Sequence, residues 1–195
     1  SFDDLVGDAL AVLDHFGVER ASSMGLSLGG MTGLGLALAA PERVERLVVC
    51  DARADAPPPF AQSWDDRVAA IRAGGLETIW PGTLERWIGP RTRAARPELV
   101  ERLRDGFLQT TVEGYAGCAA ALRHLDYFRR LGEIAVPTLY VVGADDAGAP
   151  VATMRAMADA TPGATLAVVP EAAHIANLDN PAGFEAAISP FLGGA

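Results

Sequence analysis

Three short runs are apolar almost without interruption: residues 47–50 (LVVC), Thr138–Gly143 (TLYVVG) and Thr165–Val169 (TLAVV). They constrain the fold more than any other feature of the chain. A strand with one wet face alternates polar and apolar residues, whereas a strand buried on both faces does not. Each run stands beside a stretch with helical spacing: residues 28–41 before the first, 151–161 between the second and third, and Pro181–Leu192 after the last. Apolar strands alternating with helices specify a mostly parallel sheet with helices on both faces. A further strand is expected at Ala21–Leu26. Residues 1–16 read as an amphipathic helix, because Phe2, Leu5, Val6, Ala9, Val12, Leu13 and Phe16 recur at three- and four-residue spacing. Ser1 and Asp4 fit a capping box for it, and Gly17 fits its stop.

The alternation ceases in residues 52–134, which look helical throughout, with breaks at Pro57-Pro58-Pro59, Gly74-Gly75, Pro90 and Pro97. A helical insert that follows a strand sits over the C-terminal edge of a parallel sheet, where ligands bind, so a cap or lid is its natural reading. The expected organisation is therefore one α/β core, residues 1–51 and 135–195, interrupted by a helical cap at 52–134.

The net charge of -9 is spread without a block of like charges, which argues against nucleic-acid and basic membrane-surface partners. Residues 21–40 carry no charge and are long enough to mimic a membrane span. They also hold Ser22, Ser23, Ser27, Thr32 and five glycines before Pro41, which suits a strand, a tight turn and a buried helix. Cys50 and Cys118 lie in apolar surroundings without metal-ligand spacing and read as buried free thiols, with no disulfide and no metal. No charged and apolar leader opens the chain, so the expected location is cytoplasmic.

Gly25-Leu26-Ser27-Leu28-Gly29 fits G-x-S-x-G with a strand before it and a helix after it. A serine on so sharp a turn stands above the sheet edge, and side chains two residues either side would collide, so glycine is expected at both flanks. The turn also puts Ser27 at a helix N-terminus, where the Leu28 N–H can stabilise an oxyanion. A serine hydroxyl is a weak nucleophile and needs a base and an orienting acid. Of three histidines, His15 and His124 fall on helical stretches, while His174 follows the last strand in a loop at the C-terminal sheet edge. Gly143-Ala144-Asp145-Asp146 closes a strand, giving the chain order Ser, Asp, His. Successive side chains point in opposite directions, so only one of the two aspartates can face His174, and the G-x-x-D spacing selects Asp146. Asp51, also at a strand end, is the reserve acid, with a loop cap as its ordinary role.

GLSLGG, APERVERLVVCD, RVAAIRAGG, ERWI, VEGYAGCAAALRHLDYF and AAHIANLDNPAGF together closely resemble the 3-oxoadipate enol-lactonases, small α/β-hydrolases of aromatic catabolism. The resemblance runs from the first residue to the last helix and includes the cap. It implies cofactor-free hydrolysis of an anionic five-membered enol-lactone to 3-oxoadipate in the β-ketoadipate pathway, with Ser27, Asp146 and His174 at the family's triad positions. A buried substrate carboxylate needs a cation and an apolar wall. Arg67 or Arg86, beside Trp64 and Trp87, are the candidates, against the plainer reading of solvated arginines and tryptophans of the cap's own core. That family begins with several strands and a loop carrying the second oxyanion donor, upstream of the helix that opens this chain. The sequence therefore resembles the C-terminal two-thirds of such an enzyme, and an upstream segment or a second chain is expected to complete the sheet.

Two alternatives fit the same residues. A carboxylesterase or cofactor-free perhydrolase would share the triad and differ in substrate. A ligand-binding protein or inactive fragment would keep the fold without turnover.

Overall fold

The computed structural model describes residues 1–193; the last two residues of the expected 135–195 segment lie outside that range. Its first helix, α1 (Phe2–His15), starts at the capping box: the Asp4 N–H donates to Ser1 Oγ at 3.4 Å, and the Ser1 backbone nitrogen donates to Asp4 Oδ2 at 2.8 Å. Gly17, at φ 64°, takes the left-handed conformation just past the helix end. Then follow β1 (Ala21–Leu26), α2 (Leu28–Ala39) and β2 (Val44–Cys50). The stretch that resembled a membrane span thus divides into β1 and α2. Among the described residues no helix is long and apolar enough to cross a membrane.

Between β2 and the next strand lie α3 (Pro58–Gly74), α4 (Trp80–Trp87), α5 (Pro90–Ala95), α6 (Pro97–Leu108) and α7 (Val112–Arg123). Three of these helices open on proline, where the missing N–H would have had no partner anyway, so the prolines start new helices rather than merely ending old ones. After them come β3 (Thr138–Gly143), α8 (Val151–Ala160), β4 (Thr165–Val169), α9 (Ala176–Asp179) and α10 (Pro181–Leu192).

The four strands lie in the order β1-β2-β3-β4, all parallel. Alternate side chains of β2 enter two cores. Leu47 and Val49 pack with Phe2 and Val6 of α1, Met31 and Leu34 of α2, and Met154 and Met157 of α8. Val48 and Cys50 pack with Leu139 and Val141 of β3 under Phe184 and Ile188 of α10. Burial on both faces accounts for the unbroken apolar runs of β2 and β3. The same expectation fails for β4, whose Thr165 and Val168 are exposed: it is an edge strand of this sheet, and helices cover it less completely.

The 52–134 segment carries a separate core of Ile71, Leu76, Trp80 and Phe107. It is stitched to the sheet's C-terminal edge at defined points. The His174 N–H donates to Arg86 O at 3.3 Å, and the Ile175 N–H to Trp87 O at 2.9 Å. One carboxylate oxygen of Asp179 accepts the N–H groups of both Gly89 and Ala173, each at 2.8 Å. The loop bearing His174 is thereby fixed to the end of α4.

Candidate active site

Ser27 joins β1 to α2 at φ 52° and ψ -115°, a conformation that a residue with a side chain holds only when its surroundings impose it. The surroundings are visible: the Ser27 N–H donates to Cys50 O at 2.8 Å, and Ser27 O accepts the Met31 N–H at 3.0 Å. The glycine requirement falls differently from the sequence expectation. A Cβ on Gly25 would stand 2.2 Å from the carbonyl carbon of Gly29, so position 25 admits only glycine. A Cβ on Gly29 meets nothing within 4 Å, whereas one on Gly30 would lie 2.9 Å from Gly25 O. The crowding is between the strand end and the second and third residues of α2, not symmetrical about the serine.

His174 Nδ1 lies 2.9 Å from Asp146 Oδ2. The second oxygen, Asp146 Oδ1, accepts the Gly148 N–H at 2.7 Å, so both oxygens of the buried carboxylate are engaged. Asp145 is exposed and its side chain takes no part. Of the other histidines, both His15 and His124 are exposed. Ser27 and His174 line one cavity of about 660 Å³, closed on the far side by residues of the 52–134 segment. Leu28 is the first residue of α2 and also lines it, so its N–H is one of the helix donors without an intrahelical acceptor.

All four residues singled out in the helical segment reach this cavity. The Arg67 guanidinium lies over the Trp64 ring, 4.5 Å from its centroid. Arg86 donates to Thr83 Oγ1 at 3.2 Å. Burial first, and then the Arg67 charge, pull Arg86 below the usual guanidinium range. Neither guanidinium forms an ion pair with a carboxylate among the described residues, whereas Arg43, Arg53, Arg91, Arg96, Arg104, Arg123 and Arg130 do. The Trp64 indole N–H is buried without an acceptor. Trp87 packs edge-on against Trp80 and Phe107, so it serves both the wall and the segment's core.

Tyr115 was not read from the sequence, and the readings of Cys118 and Asp51 change. Tyr115 stands beside Arg67; burial raises its phenol, and the Arg67 charge and hydrogen bond oppose that. Its stretch, VEGYAGCAAALR, carries only helical spacing, so nothing marked it. Cys118 lines the cavity and is only half-buried, which corrects the expectation of two buried thiols. Cys50 is buried, and desolvation followed by the neighbouring Asp51 pushes its thiol up to about 12. Asp51 does cap a backbone N–H, its Oδ1 accepting from Gly143 at 2.7 Å, but that N–H ends the neighbouring strand rather than its own loop, and Asp51 is fully buried in the cavity wall at φ 46°.

A parallel sheet with a strained serine between strand and helix, and an aspartate–histidine pair in loops at the same sheet edge, defines a class. The chain belongs to the α/β-hydrolase fold family, whose pattern it matches over residues 1–181, and it is a hydrolase of that fold. It is 36% identical over 190 residues to 3-oxoadipate enol-lactonase 2 of Acinetobacter baylyi, an alignment covering 97% of this chain and 70% of that protein. Its structure superposes on the enol-lactonase from Burkholderia xenovorans LB400 with a TM-score of 0.94 at 31% identity, over 99% of this chain and 73% of the other. A hydrolase from Pseudomonas aeruginosa PA01 gives 0.93 at 37% identity, over 100% of this chain and 72% of the other.

Proposed function

We propose that the chain is a serine-dependent lactonase whose substrate is a small enol-lactone bearing a carboxylate, with 3-oxoadipate enol-lactone as the leading candidate. The observation that carries this reading is the convergence on one cavity of a strained serine, an Asp146-held histidine and two guanidinium groups without acidic partners. Ser27 Oγ attacks the lactone carbonyl while His174 takes its proton. Asp146 holds the imidazole in the tautomer that leaves the other nitrogen free for Ser27 and stabilises the imidazolium. The Leu28 N–H faces the developing oxyanion. Collapse of the tetrahedral intermediate expels the enol oxygen, which His174 protonates, and the enol becomes a ketone. Water, deprotonated by His174, then releases the acid and restores Ser27. Residues 52–134 act as the cap that carries the carboxylate site.

The test is a substrate panel with purified protein: enol-lactone, p-nitrophenyl esters and peracid formation. A kcat/KM for the enol-lactone well above that for neutral esters is expected; equal values would leave an unspecialised esterase.

Asp146→Asn is expected to lower kcat about 10⁴-fold, because the amide stabilises the wrong imidazole tautomer, whereas Asp145→Asn changes it less than about twofold. Steady-state kinetics of both variants check this, and comparable losses would exclude Asp146 as the orienting acid.

Arg67→Met and Arg86→Met should each raise KM for the anionic lactone. A hydrogen bond to a charged group contributes about 1.5–3 kcal/mol, equivalent to roughly a ten- to hundredfold change. KM for a neutral ester should hardly move, and unchanged KM values for the lactone in both variants would take the arginines out of the substrate site.

A further inference from the structure

The two buried carboxyl groups of the cavity wall are unequally supplied with donors. Asp146 accepts one N–H on Oδ1 and faces His174 with Oδ2. Asp51 accepts only the Gly143 N–H, on Oδ1, and its Oδ2 is buried with no donor in reach. An ionised carboxylate leaves that oxygen orphaned, while a protonated one turns it into a donor that needs an acceptor. The candidate acceptor is the Asp146 carboxylate, whose charge helps to raise the Asp51 carboxyl. Gly143 ties the two together a second time, since its N–H goes to Asp51 and its carbonyl accepts the Asp146 N–H at 3.1 Å.

We propose that Asp51 is a positioning residue of the catalytic centre: its carboxyl keeps its proton and donates it to the Asp146 carboxylate, holding Asp146 aimed at His174. The proposal rests on the serine-hydrolase reading of Ser27, His174 and Asp146. The proton resides on Asp51 because Asp146 has more donors for its charged form. The other titratable or charged groups nearby do not supply a counter-cation. Cys50 is a buried neutral thiol, His174 is turned to Asp146, and Arg53 directs its guanidinium to Asp55 at 3.3 Å and to Gly148 O. Burial accordingly pushes the Asp51 carboxyl up to about 8, the Asp146 charge adding to the rise and the Gly143 N–H opposing it. Near neutral pH Asp51 therefore keeps its proton, and it loses it as pH rises past about 8.

The consequence for stability has a definite sign. The folded state binds a proton that an unfolded aspartate releases near pH 4 (about 3.9), so the benefit is complete below that value and is lost as pH rises towards about 8. Asparagine keeps the acceptor for Gly143 and offers Asp146 a donor that cannot ionise. The melting temperature of Asp51→Asn relative to wild type should therefore increase between pH 5 and pH 9.

For the positioning role, the full-length protein and its variants are titrated with a fluorophosphonate probe from pH 5 to pH 10. Wild type should label more slowly at the alkaline end, as Asp51 ionises. Asp51→Asn should label within about threefold of wild type at pH 7 and lose the alkaline decline. Asp51→Ala should label at least tenfold more slowly, also without that decline. An Asn variant that retains the decline, or an Ala variant as fast as wild type, overturns the proposal. Should Ala fail to fold, the Asn comparison decides alone. A wild type that never labels overturns the serine-hydrolase reading and the proposal with it. Normal labelling without an alkaline decline, or a melting difference that does not change with pH, overturns the proposal only.

Discussion

Ser27→Ala should abolish hydrolysis, lowering kcat on the order of 10⁶-fold, while the protein melts within a degree or two of wild type. The loss is large because the histidine and its aspartate have no function in covalent catalysis without an oxygen to activate, so members of such a group are far from additive. The stability change is small for a structural reason. The Ser27 side chain makes no capping hydrogen bond to α2, so its removal orphans no buried partner. The backbone strain at φ 52° is imposed by the Cys50 and Met31 hydrogen bonds and remains in the alanine variant. Kinetics and thermal melting of the purified variant check both halves. More than a few per cent of residual kcat would exclude covalent serine catalysis.

The unbroken runs of β2 and β3 announced a doubly covered parallel sheet because burial on both faces leaves its mark directly on the sequence. That Asp146 rather than Asp145 meets His174 agrees with the G-x-x-D spacing, but the cause is the turn after β3 in which both residues lie, not strand alternation. Asp51 was placed correctly at the sheet edge but given the wrong environment. Whether a strand-end aspartate is a wet cap or a buried acid depends on what packs over it, here the turn at Gly143 and the loop bearing His174. The same limit applies to Gly29. The motif carries glycine there, yet the steric demand depends on the path of α2 past β1, which moves the crowding to Gly30. Tyr115 and Cys118 reach the cavity only because α7 packs against α3, a tertiary fact with no local signature.

Residues 1–195 expressed alone are expected to be at least 10²-fold less active than an enzyme whose sheet continues past β1, and prone to associate. Among the described residues β1 pairs only with β2, so its other side presents unpaired N–H and C=O groups. Its side chains alternate as those of an outer strand, with Ser22 exposed and Met24 53% exposed, an apolar group where a covered sheet would bury it. The strand nevertheless leads directly into Ser27, so fraying there disturbs the nucleophile. The proposed mechanism raises a second difficulty, because Leu28 would be one oxyanion donor and the loss of a second donor costs about 10²- to 10³-fold in kcat even in a sound scaffold. The chain spans 70% of the length of the Acinetobacter enol-lactonase. We therefore propose that a further segment of polypeptide pairs with β1 and completes the oxyanion site. Size-exclusion chromatography with a lactonase assay on residues 1–195 tests this. Oligomers or aggregates of low activity, recovered by supplying a segment that pairs with β1, are expected, and a monomer with full activity would show that the open edge of β1 needs no covering.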